Sequence, residues 1–278
     1  MKRACITGWP VEQSRSPMIH GHWIKQYGLS ATADYGRRAV KPEDADRFYA
    51  SLAEQGLVGC NVTMPNKEAA FRAAKHRHPS AEAVGVANTL WLEGGELHAM
   101  NSDTYGFLAH LDNSAPEWRK IDGPVTILGA GGTARCLAFG FLEAGVSEVR
   151  IVNRTLARAE EIARHFGRGV MAIDWEARNK AAVDSRIIVN TTSLGMKGIG
   201  SPEIDFTRCL RTAIAIDAVY IPLETPFLAE ARQVGLVTVD GLGMLLHQAV
   251  PGFETWFGVR PEVTPELREI LVRDIEGR

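Results

Sequence analysis

Residues 125–134 read VTILGAGGTA, and this stretch decides the fold of the chain. Its first four residues predict a buried strand, and an apolar helix is predicted directly after it, over residues 135–144. The glycines between them fit the pattern G-x-G-x-x-A, in which Gly129 permits a tight turn, Gly131 lets the backbone approach a pyrophosphate, and Ala134 allows close helix–strand packing. The strand–turn–helix context favours a dinucleotide-binding site over a merely structural glycine-rich turn.

The next strand predicts which dinucleotide binds. It covers residues 148–152 and ends where an NAD-binding fold would place a carboxylate on the ribose 2′-hydroxyl. Here the strand is followed by Asn153, Arg154 and Thr155, with Arg158 one turn further. A guanidinium there would pair with a 2′-phosphate, whereas the alternative, a surface arginine at a helix start, is locally unfavourable. The sequence therefore favours NADP over NAD.

Alternating strands and helices extend in both directions from this stretch. Three further strands are predicted at residues 186–190, 213–217 and 236–239. Because the loops after the carboxyl ends of parallel strands face the ligand in an open α/β sheet, the loops after these three strands are candidates for cofactor contact. Strands and helices also alternate over residues 1–70, so a mostly parallel sheet is expected there as well.

A second informative stretch, residues 61–67, reads NVTMPNK. It follows a predicted buried strand and precedes a predicted helix, so Pro65 suits the first helical turn, where a missing N–H has no consequence. Lys67 then lies at the positive end of the helix dipole, which makes its ammonium a readier proton donor. The alternative is an ordinary solvated lysine in a first turn.

Two further helix starts carry polar groups. In the run Ser14-Arg15-Ser16-Pro17, Pro17 suits a first helical position and makes Ser16 the expected N-cap. Two hydroxyls at a helix start form a site for a small anion, although capping alone would also explain Ser16. Asp103 opens an apolar helix after a hairpin predicted around residues 85–100, and it too could be a simple N-cap.

The composition excludes several classes of function. The chain has 278 residues, of which 45% are hydrophobic and 23% charged, an ordinary globular composition. Its net charge of −2 gives no excess of positive charge that would bind nucleic acid or an anionic membrane. No apolar stretch approaches the roughly 20 residues of a membrane span. The four cysteines are scattered, without spacing typical of a metal site or a disulfide framework. We expect a soluble cytoplasmic protein without a bound metal.

Taken together, the motifs resemble the shikimate dehydrogenase family over nearly the whole chain. The motifs that carry this resemblance are Ser14 to Pro17, Asn61 to Lys67, Gly85 to Thr89, Asn101 to Asp103, Gly129 to Thr133, Asn153 to Thr155, and Gly241 to Met244 with Gln248. Two positions depart mildly from the family pattern: Ser102 stands where threonine is usual, and His247 where a small residue is common. The resemblance implies NADP-dependent, reversible reduction of 3-dehydroshikimate to shikimate, a step towards aromatic amino acids.

The resemblance also implies roles for individual residues. Lys67 and Asp103 would be the catalytic pair. The substrate would be bound by Ser14, Ser16, Thr63, Asn88, Tyr220 and Gln248. NADP would be bound by Gly129, Ala130, Gly131, Gly132, Thr133, Asn153, Arg154, Thr155, Arg158, Ala218 and Gly241.

We therefore predict a two-domain α/β protein, with an N-terminal α/β substrate domain built on a mostly parallel sheet and a Rossmann-type NADP-binding domain. The substrate domain is expected at residues 1–104, completed by C-terminal helices in residues 245–278, and the NADP domain at residues 105–244. We expect a monomer or homodimer. Two rival functions remain: a paralogue acting on quinate or an amino-substituted analogue, and a non-catalytic regulator that binds NADP or shikimate. Ser16 and Arg154 argue against quinate, because quinate-preferring relatives often have threonine and an acidic residue at these positions.

Overall fold

The computed structural model describes residues 1–277, in which twelve strands and twelve α-helices are found. The strands are β1 (Lys2–Gly8), β2 (Ala33–Ala39), β3 (Gly59–Val62), β4 (His76–Arg77), β5 (Thr89–Glu93), β6 (Glu96–Met100), β7 (Val125–Leu128), β8 (Val149–Asn153), β9 (Val170–Asp174), β10 (Ile187–Asn190), β11 (Ile214–Asp217) and β12 (Val237–Val239). The helices are α1 (Ser16–Gln26), α2 (Pro42–Ala50), α3 (Lys67–Ala73), α4 (Pro79–Glu82), α5 (Asp103–Ser114), α6 (Gly132–Glu143), α7 (Leu156–Phe166), α8 (Arg178–Ala182), α9 (Pro226–Gln233), α10 (Leu242–His247), α11 (Ala249–Phe257) and α12 (Pro265–Glu276). Short 3-10 helices cover Pro116–Lys120, Trp175–Ala177, Met196–Gly198 and Phe206–Arg208.

The chain divides into two compact units. The first unit contains Met1–Gly106 and Leu246–Asp274, and the second contains Phe107–Leu245 with the C-terminal residues from Ile275 onward. Each unit holds one six-stranded sheet. The predicted fold class, α/β with two domains, is confirmed.

The sheet of the first unit has the strand order β2-β1-β3-β5-β6-β4. Strand β1 pairs in parallel with β2 and β3, and β4 pairs in parallel with β6, whereas β3–β5 and β5–β6 are antiparallel. Strands β5 and β6 are joined by a tight hairpin turn. Its two residues, Gly94 and Gly95, both have positive φ, +60° and +83°, as a type I′ turn requires. The sheet is thus mixed, with three parallel pairings out of five.

The C-terminal helices complete this first unit. The indole N–H of Trp256, on α11, donates to the carbonyl of Leu90 on β5 at 2.9 Å. The indole N–H of Trp23, on α1, donates to the carbonyl of Glu262 at 3.0 Å. Both indoles are almost completely buried, so these bonds join residues more than 160 positions apart inside an apolar core.

The sheet of the second unit has the order β12-β11-β10-β7-β8-β9 and is parallel throughout. Its inner strands β7, β10 and β11 are buried on both faces, as their apolar runs predict. The chain passes from β7 to β8 and β9 on one side, then returns to β10 on the other side. The strand order therefore reverses between β7 and β10, where doubly wound folds bind their ligands.

Two strands, β4 and β9, were not predicted from the sequence. Both lie at the edge of their sheet, β4 in the first unit and β9 in the second. An edge strand is covered less completely than a central one: β4 has no apolar residue and both its residues are exposed, whereas β9 reads VMAID but leaves Met171 51% exposed.

Two predicted helix starts were wrong in detail. Ser16 is the first residue of α1, and the N-cap position is taken by Arg15, so Ser16 is not the cap. Helix α3 begins at Lys67 after the N-cap residue Asn66, so Pro65 lies in the preceding turn and not in the first helical turn. In both cases the helix is present, but its first turn is shifted by one or two residues.

The helical segment at residues 242–257 has one interruption. The break lies at Gln248, between α10 and α11. Pro251 is the third residue of α11, where a backbone N–H would have no intrahelical partner, so proline is tolerated there.

Candidate active site

Lys67 and Asp103 form an ion pair in the first unit, with 2.6 Å between Nζ and Oδ2. Lys67 is the first residue of α3 and Asp103 is the first residue of α5, so two helix starts place the two groups together. The two side chains are 27% and 16% exposed. The pair is therefore partly desolvated yet still open to a small ligand.

Asn88 holds the other oxygen of the same carboxylate. Its Nδ2 donates to Asp103 Oδ1 at 2.8 Å. Its own Oδ1 accepts from the backbone N–H of Ser102 at 2.8 Å, from the Ser102 hydroxyl at 3.1 Å and from the Thr89 hydroxyl at 3.0 Å. These donors leave the amide only one orientation, in which its nitrogen faces Asp103. Ser102 thus keeps the hydroxyl of the usual threonine and uses it here.

The serine pair lies between β1 and α1. The Ser14 hydroxyl donates to Ser16 Oγ at 3.2 Å and accepts from the backbone N–H of Ser16 at 3.3 Å. Ser16, only 5% exposed, is also close enough to the Tyr35 side chain to lower the pKa of the Tyr35 hydroxyl. The structure therefore brings together the two hydroxyls that were predicted to bind a small anion.

The remaining predicted substrate residues divide between the two units. Thr63 follows β3, is half-buried, and its N–H donates to the carbonyl of Thr7 at 2.8 Å. Gln248 is 9% exposed and packs so closely on α5 that a Cβ added to Gly106 would lie 2.6 Å from the Gln248 Cβ. Tyr220 belongs to the second unit, where it is half-buried in the loop after β11.

The glycine-rich turn of the second unit has the conformation that its pattern predicts. Gly129 has φ +105°, its N–H donates to Val152 at 2.8 Å, and an added Cβ would lie 2.7 Å from Thr191 Oγ1. Ala134 is fully buried against the core of the unit. In contrast, a Cβ added to Gly131 would meet no atom within 4 Å. The turn is thus closed on its inner side and open where a ligand would approach.

The residues after β8 complete a surface that fits NADP. Val152 pairs with Leu128, so the loop after β8 begins beside the glycine-rich turn. Arg154 and Arg158 are both exposed, and the Asn153 side chain donates to the carbonyl of Thr155 at 2.8 Å. Open glycine backbone at the start of α6 suits a pyrophosphate, and exposed guanidinium groups suit a 2′-phosphate. Ala130 and Thr133, which flank Gly131 and Gly132, are half-buried.

The loops after β11 and β12 are in direct contact. A Cβ added to Gly241 would lie 2.4 Å from the carbonyl oxygen of Ala218, so only glycine allows this approach. The two residues predicted to line the nicotinamide end of the cofactor are therefore neighbours at the carboxyl edge of the sheet.

Sequence reasoning assigned no role to Asp217, the last residue of β11. Its carboxylate is completely buried and accepts from Asn190 Nδ2 at 3.0 Å, from the N–H of Val219 at 2.9 Å and from the Thr225 hydroxyl at 2.6 Å. Burial raises the pKa of the Asp217 carboxyl to about 6, although the three hydrogen bonds oppose this shift. A signal was available in the sequence, because β10 and β11 both end their apolar runs on a polar residue.

Within residues 1–277, no group of three or more histidine, cysteine or acidic side chains could hold a metal ion. In the same range, no helix combines the length and the apolar character needed to cross a membrane.

Comparisons with known proteins agree with this geometry. Residues 6–90 match the family described as shikimate dehydrogenase substrate binding domain, residues 118–242 match shikimate / quinate 5-dehydrogenase, and residues 241–265 match the shikimate 5'-dehydrogenase C-terminal domain. A curated shikimate dehydrogenase (NADP(+)) from Azorhizobium caulinodans is 50% identical over 278 residues, which is 100% of this chain and 98% of that protein.

Two solved structures show the same architecture. The shikimate 5-dehydrogenase of Thermus thermophilus, in complex with NADP(H) and shikimate, has a TM-score of 0.84 and 33% identity, covering 99% of this chain and 100% of the other. The quinate dehydrogenase of Corynebacterium glutamicum, in complex with NAD, has a TM-score of 0.87 and 25% identity, covering 98% of each chain. The resemblance drawn from the motifs is confirmed: this chain belongs to the shikimate dehydrogenase family.

Proposed function

We propose that this protein is an NADP-dependent oxidoreductase that reversibly reduces 3-dehydroshikimate to shikimate, with Lys67 and Asp103 as its catalytic pair. The observation that carries the mechanism is the 2.6 Å contact between Lys67 Nζ and Asp103 Oδ2 in a partly desolvated position. Membership of the family supports the reaction and the coenzyme. The roles of individual residues rest on the geometry described above.

The chemistry of ketone reduction explains why a lysine is needed. Bound NADPH supplies a hydride to the carbonyl carbon. Negative charge grows on the carbonyl oxygen, and the Lys67 ammonium stabilises that charge and gives the oxygen its proton. In the oxidative direction the neutral Lys67 amine accepts the proton of the shikimate hydroxyl. Asp103, fixed by Asn88, keeps the Lys67 side chain in one position throughout.

The substrate would be bound through polar groups of matching chemistry. We assign the carboxylate to Ser14 and Ser16, whose hydroxyls lie within hydrogen-bond distance of each other, with Tyr220 beside it. Thr63, Asn88, Asp103 and Gln248 would bind the hydroxyl groups and the reacting oxygen. The residues proposed for NADP binding are Gly129, Ala130, Gly131, Gly132, Thr133, Asn153, Arg154, Thr155, Arg158, Ala218 and Gly241.

We also propose that residues 1–104 with 245–278 form the substrate domain and residues 105–244 the NADP domain. The compact units, which change over at Gly106 and Leu245, support this division. A cytoplasmic location is proposed because all four cysteines are buried thiols, as a reducing compartment permits. We propose that the protein is a monomer or a homodimer, and light scattering would measure its oligomeric state.

The test is a substrate and cofactor panel on the purified protein. Shikimate with NADP⁺ should give NADPH, and kcat/KM should be higher for shikimate than for quinate and higher with NADP⁺ than with NAD⁺. Lys67→Ala should still bind shikimate in calorimetry but lose about 10²–10⁴ in turnover. Lys75→Ala is the matched control, because this exposed lysine pairs with Glu96 on the surface.

Three results would contradict the proposal. Near-normal turnover by Lys67→Ala would refute the mechanism. A preference for quinate would indicate the paralogue. Tight binding of shikimate and NADP⁺ without turnover of any substrate would indicate a regulator.

A further inference from the structure

A chain of buried hydrogen bonds begins beside the serine pair of the first unit. The Ser16 side chain is close enough to the Tyr35 hydroxyl to lower its pKa, and the Tyr35 hydroxyl donates to Asn61 Oδ1 at 2.7 Å. Tyr35 and Asn61 are 7% and 3% exposed. Burial raises the pKa of the Tyr35 hydroxyl well above its usual value, so this group keeps its proton and remains a donor.

The same chain continues to the ion pair. Asn61 Nδ2 donates to Thr89 Oγ1 at 3.2 Å, and the Thr89 hydroxyl donates to Asn88 Oδ1 at 3.0 Å. Asn88 Nδ2 then donates to Asp103 Oδ1 at 2.8 Å. Thr89 is completely buried and Asn88 is 3% exposed, so water does not compete for these bonds.

The direction of the chain depends on the Asn61 amide. His20 is completely buried, stacks on Tyr35 with ring centroids 3.9 Å apart, and its Nε2 lies 3.2 Å from Asn61 Oδ1. With the amide oriented as in the structure, Oδ1 accepts from Tyr35 and from a protonated His20 Nε2, and the Asn61 nitrogen faces Thr89. Each donor from Tyr35 to Asn88 therefore points towards Asp103, and bonds aligned in this way polarise one another.

We propose that Tyr35, Asn61 and Thr89 are positioning residues that couple the Ser14–Ser16 pair to the Lys67–Asp103 pair through this chain. None of the three is assigned a contact with the substrate. One end of the chain lies at the serine pair, which is proposed to bind the substrate carboxylate. The other end is the carboxylate of Asp103, which holds the Lys67 ammonium. Occupation of the serine pair then further restricts Asn88 and Asp103, whose positions the Ser102 hydrogen bonds already limit. This inference rests on the proposed function.

A purely structural network is the alternative, and matched variants separate the two. Tyr35→Phe removes the hydroxyl that Ser16 contacts. Tyr49→Phe is its control: Tyr49 is also completely buried in the first unit, but its hydroxyl pairs with Thr7, which contacts the chain only at the backbone carbonyl of Asn61. We expect Tyr35→Phe to raise KM for shikimate about three- to tenfold, the effect of one lost hydrogen bond, with kcat within about twofold of the wild type. Tyr49→Phe should change thermal stability only.

Thr89→Val breaks the chain next to Asn88 while keeping the shape of the side chain. We expect kcat to fall about three- to tenfold with little change in KM, because this link orients the reacting end. In the Tyr35→Phe/Thr89→Val double variant, the loss in kcat/KM should be at least about threefold smaller than the product of the single losses. The reason is that either substitution alone already interrupts the chain, so the second removes little further coupling. The Tyr49→Phe/Thr89→Val losses should multiply.

Unchanged kcat and KM in Tyr35→Phe and Thr89→Val, or losses that simply multiply, would overturn the coupling. Failure of the proposed function is recognised separately, because the wild type would then not turn over shikimate. In that case calorimetry with shikimate still tests the chain: Tyr35→Phe should bind more weakly than Tyr49→Phe. Equal affinities, or no binding by any variant, would overturn it.

Discussion

Asn88 Nδ2 and Asp103 Oδ1 lie 2.8 Å apart, and this bond leaves Oδ2 of the same carboxylate for Lys67. The carboxylate is thus held from two sides, by a neutral amide whose own oxygen is fixed and by an ammonium group. An aspartate held in this way cannot rotate freely, so the Lys67 side chain has one preferred position.

Asp103→Asn should therefore lower kcat by about 10²–10⁴, in the range for general acid–base groups. The substitution removes the charge that holds Lys67, and its amide can accept from only one of Lys67 and Asn88 and turns a donor towards the other. Steady-state kinetics with shikimate and NADP⁺ measure the effect. Glu96→Gln is the matched control, since Glu96 pairs with Lys75 and His76 on the surface; a similar loss in that variant would argue against a special role for Asp103.

Two glycines of the same turn should respond differently to alanine. Gly131→Ala should leave the melting temperature near that of the wild type, because the new Cβ meets no protein atom within 4 Å and φ is −94°. It should nevertheless weaken NADP⁺ binding at least about tenfold, since the methyl group would occupy the approach of the pyrophosphate. Calorimetry and thermal unfolding measure the two effects.

Gly129→Ala is the counterpart, and it should lower the melting temperature. Its φ of +105° is unfavourable for alanine, and its Cβ would lie 2.7 Å from Thr191 Oγ1. If the two variants gave the same pattern of stability and binding, the assignment of inner and ligand-facing sides of the turn would be wrong.

Replacing Arg154 and Arg158 together by alanine should reduce the preference for NADP⁺ over NAD⁺. A hydrogen bond to a charged group is worth about 1.5–3 kcal/mol, so we expect kcat/KM with NADP⁺ to fall about 10- to 150-fold while the NAD⁺ value changes little. Arg164→Ala, an exposed arginine further along α7, is the control. Equal losses with both coenzymes would show that the two arginines do not recognise the 2′-phosphate.

Asp217 should make the protein less stable as the pH rises from about 4 to 6. Burial raises the pKa of its carboxyl from 3.8 to about 6, so the folded state binds this proton more tightly than the unfolded chain does. The resulting stabilisation is fully present below the unfolded pKa and is lost as the pH rises through the folded pKa. Its size is about 3 kcal/mol, at 1.36 kcal/mol per pKa unit.

Thermal unfolding across this pH range, compared between the wild type and Asp217→Asn, measures this contribution. The asparagine variant should lack it, so the difference between the two melting curves should change with pH. Asp184→Asn is the control, and its effect on stability should change with pH in the opposite direction, because a hydrogen bond from Arg150 lowers the pKa of Asp184. A pH-independent difference between Asp217→Asn and the wild type would contradict the prediction.

The sequence alone determined the features that depend on neighbouring residues. The turn at Gly129, the helix next to the residue 61–67 stretch and the serine pair at the start of α1 are each built within about ten residues. Periodicity, glycine and proline could therefore identify them, and their order along the chain identified the family. The parallel sheet of the second unit also followed from its repeated apolar strands.

Only the tertiary structure decided which distant side chains meet. Tyr35, Asn61 and Thr89 lie on three different strands, and Asp217 meets Asn190 because β10 and β11 are in register. The edge strand β4 was missed because its two residues are polar and exposed, and β9 was missed although its first four residues are apolar. Strand register and burial are set by the packing of the whole sheet, so a single sequence does not reveal them, although they fix the direction of each buried hydrogen bond.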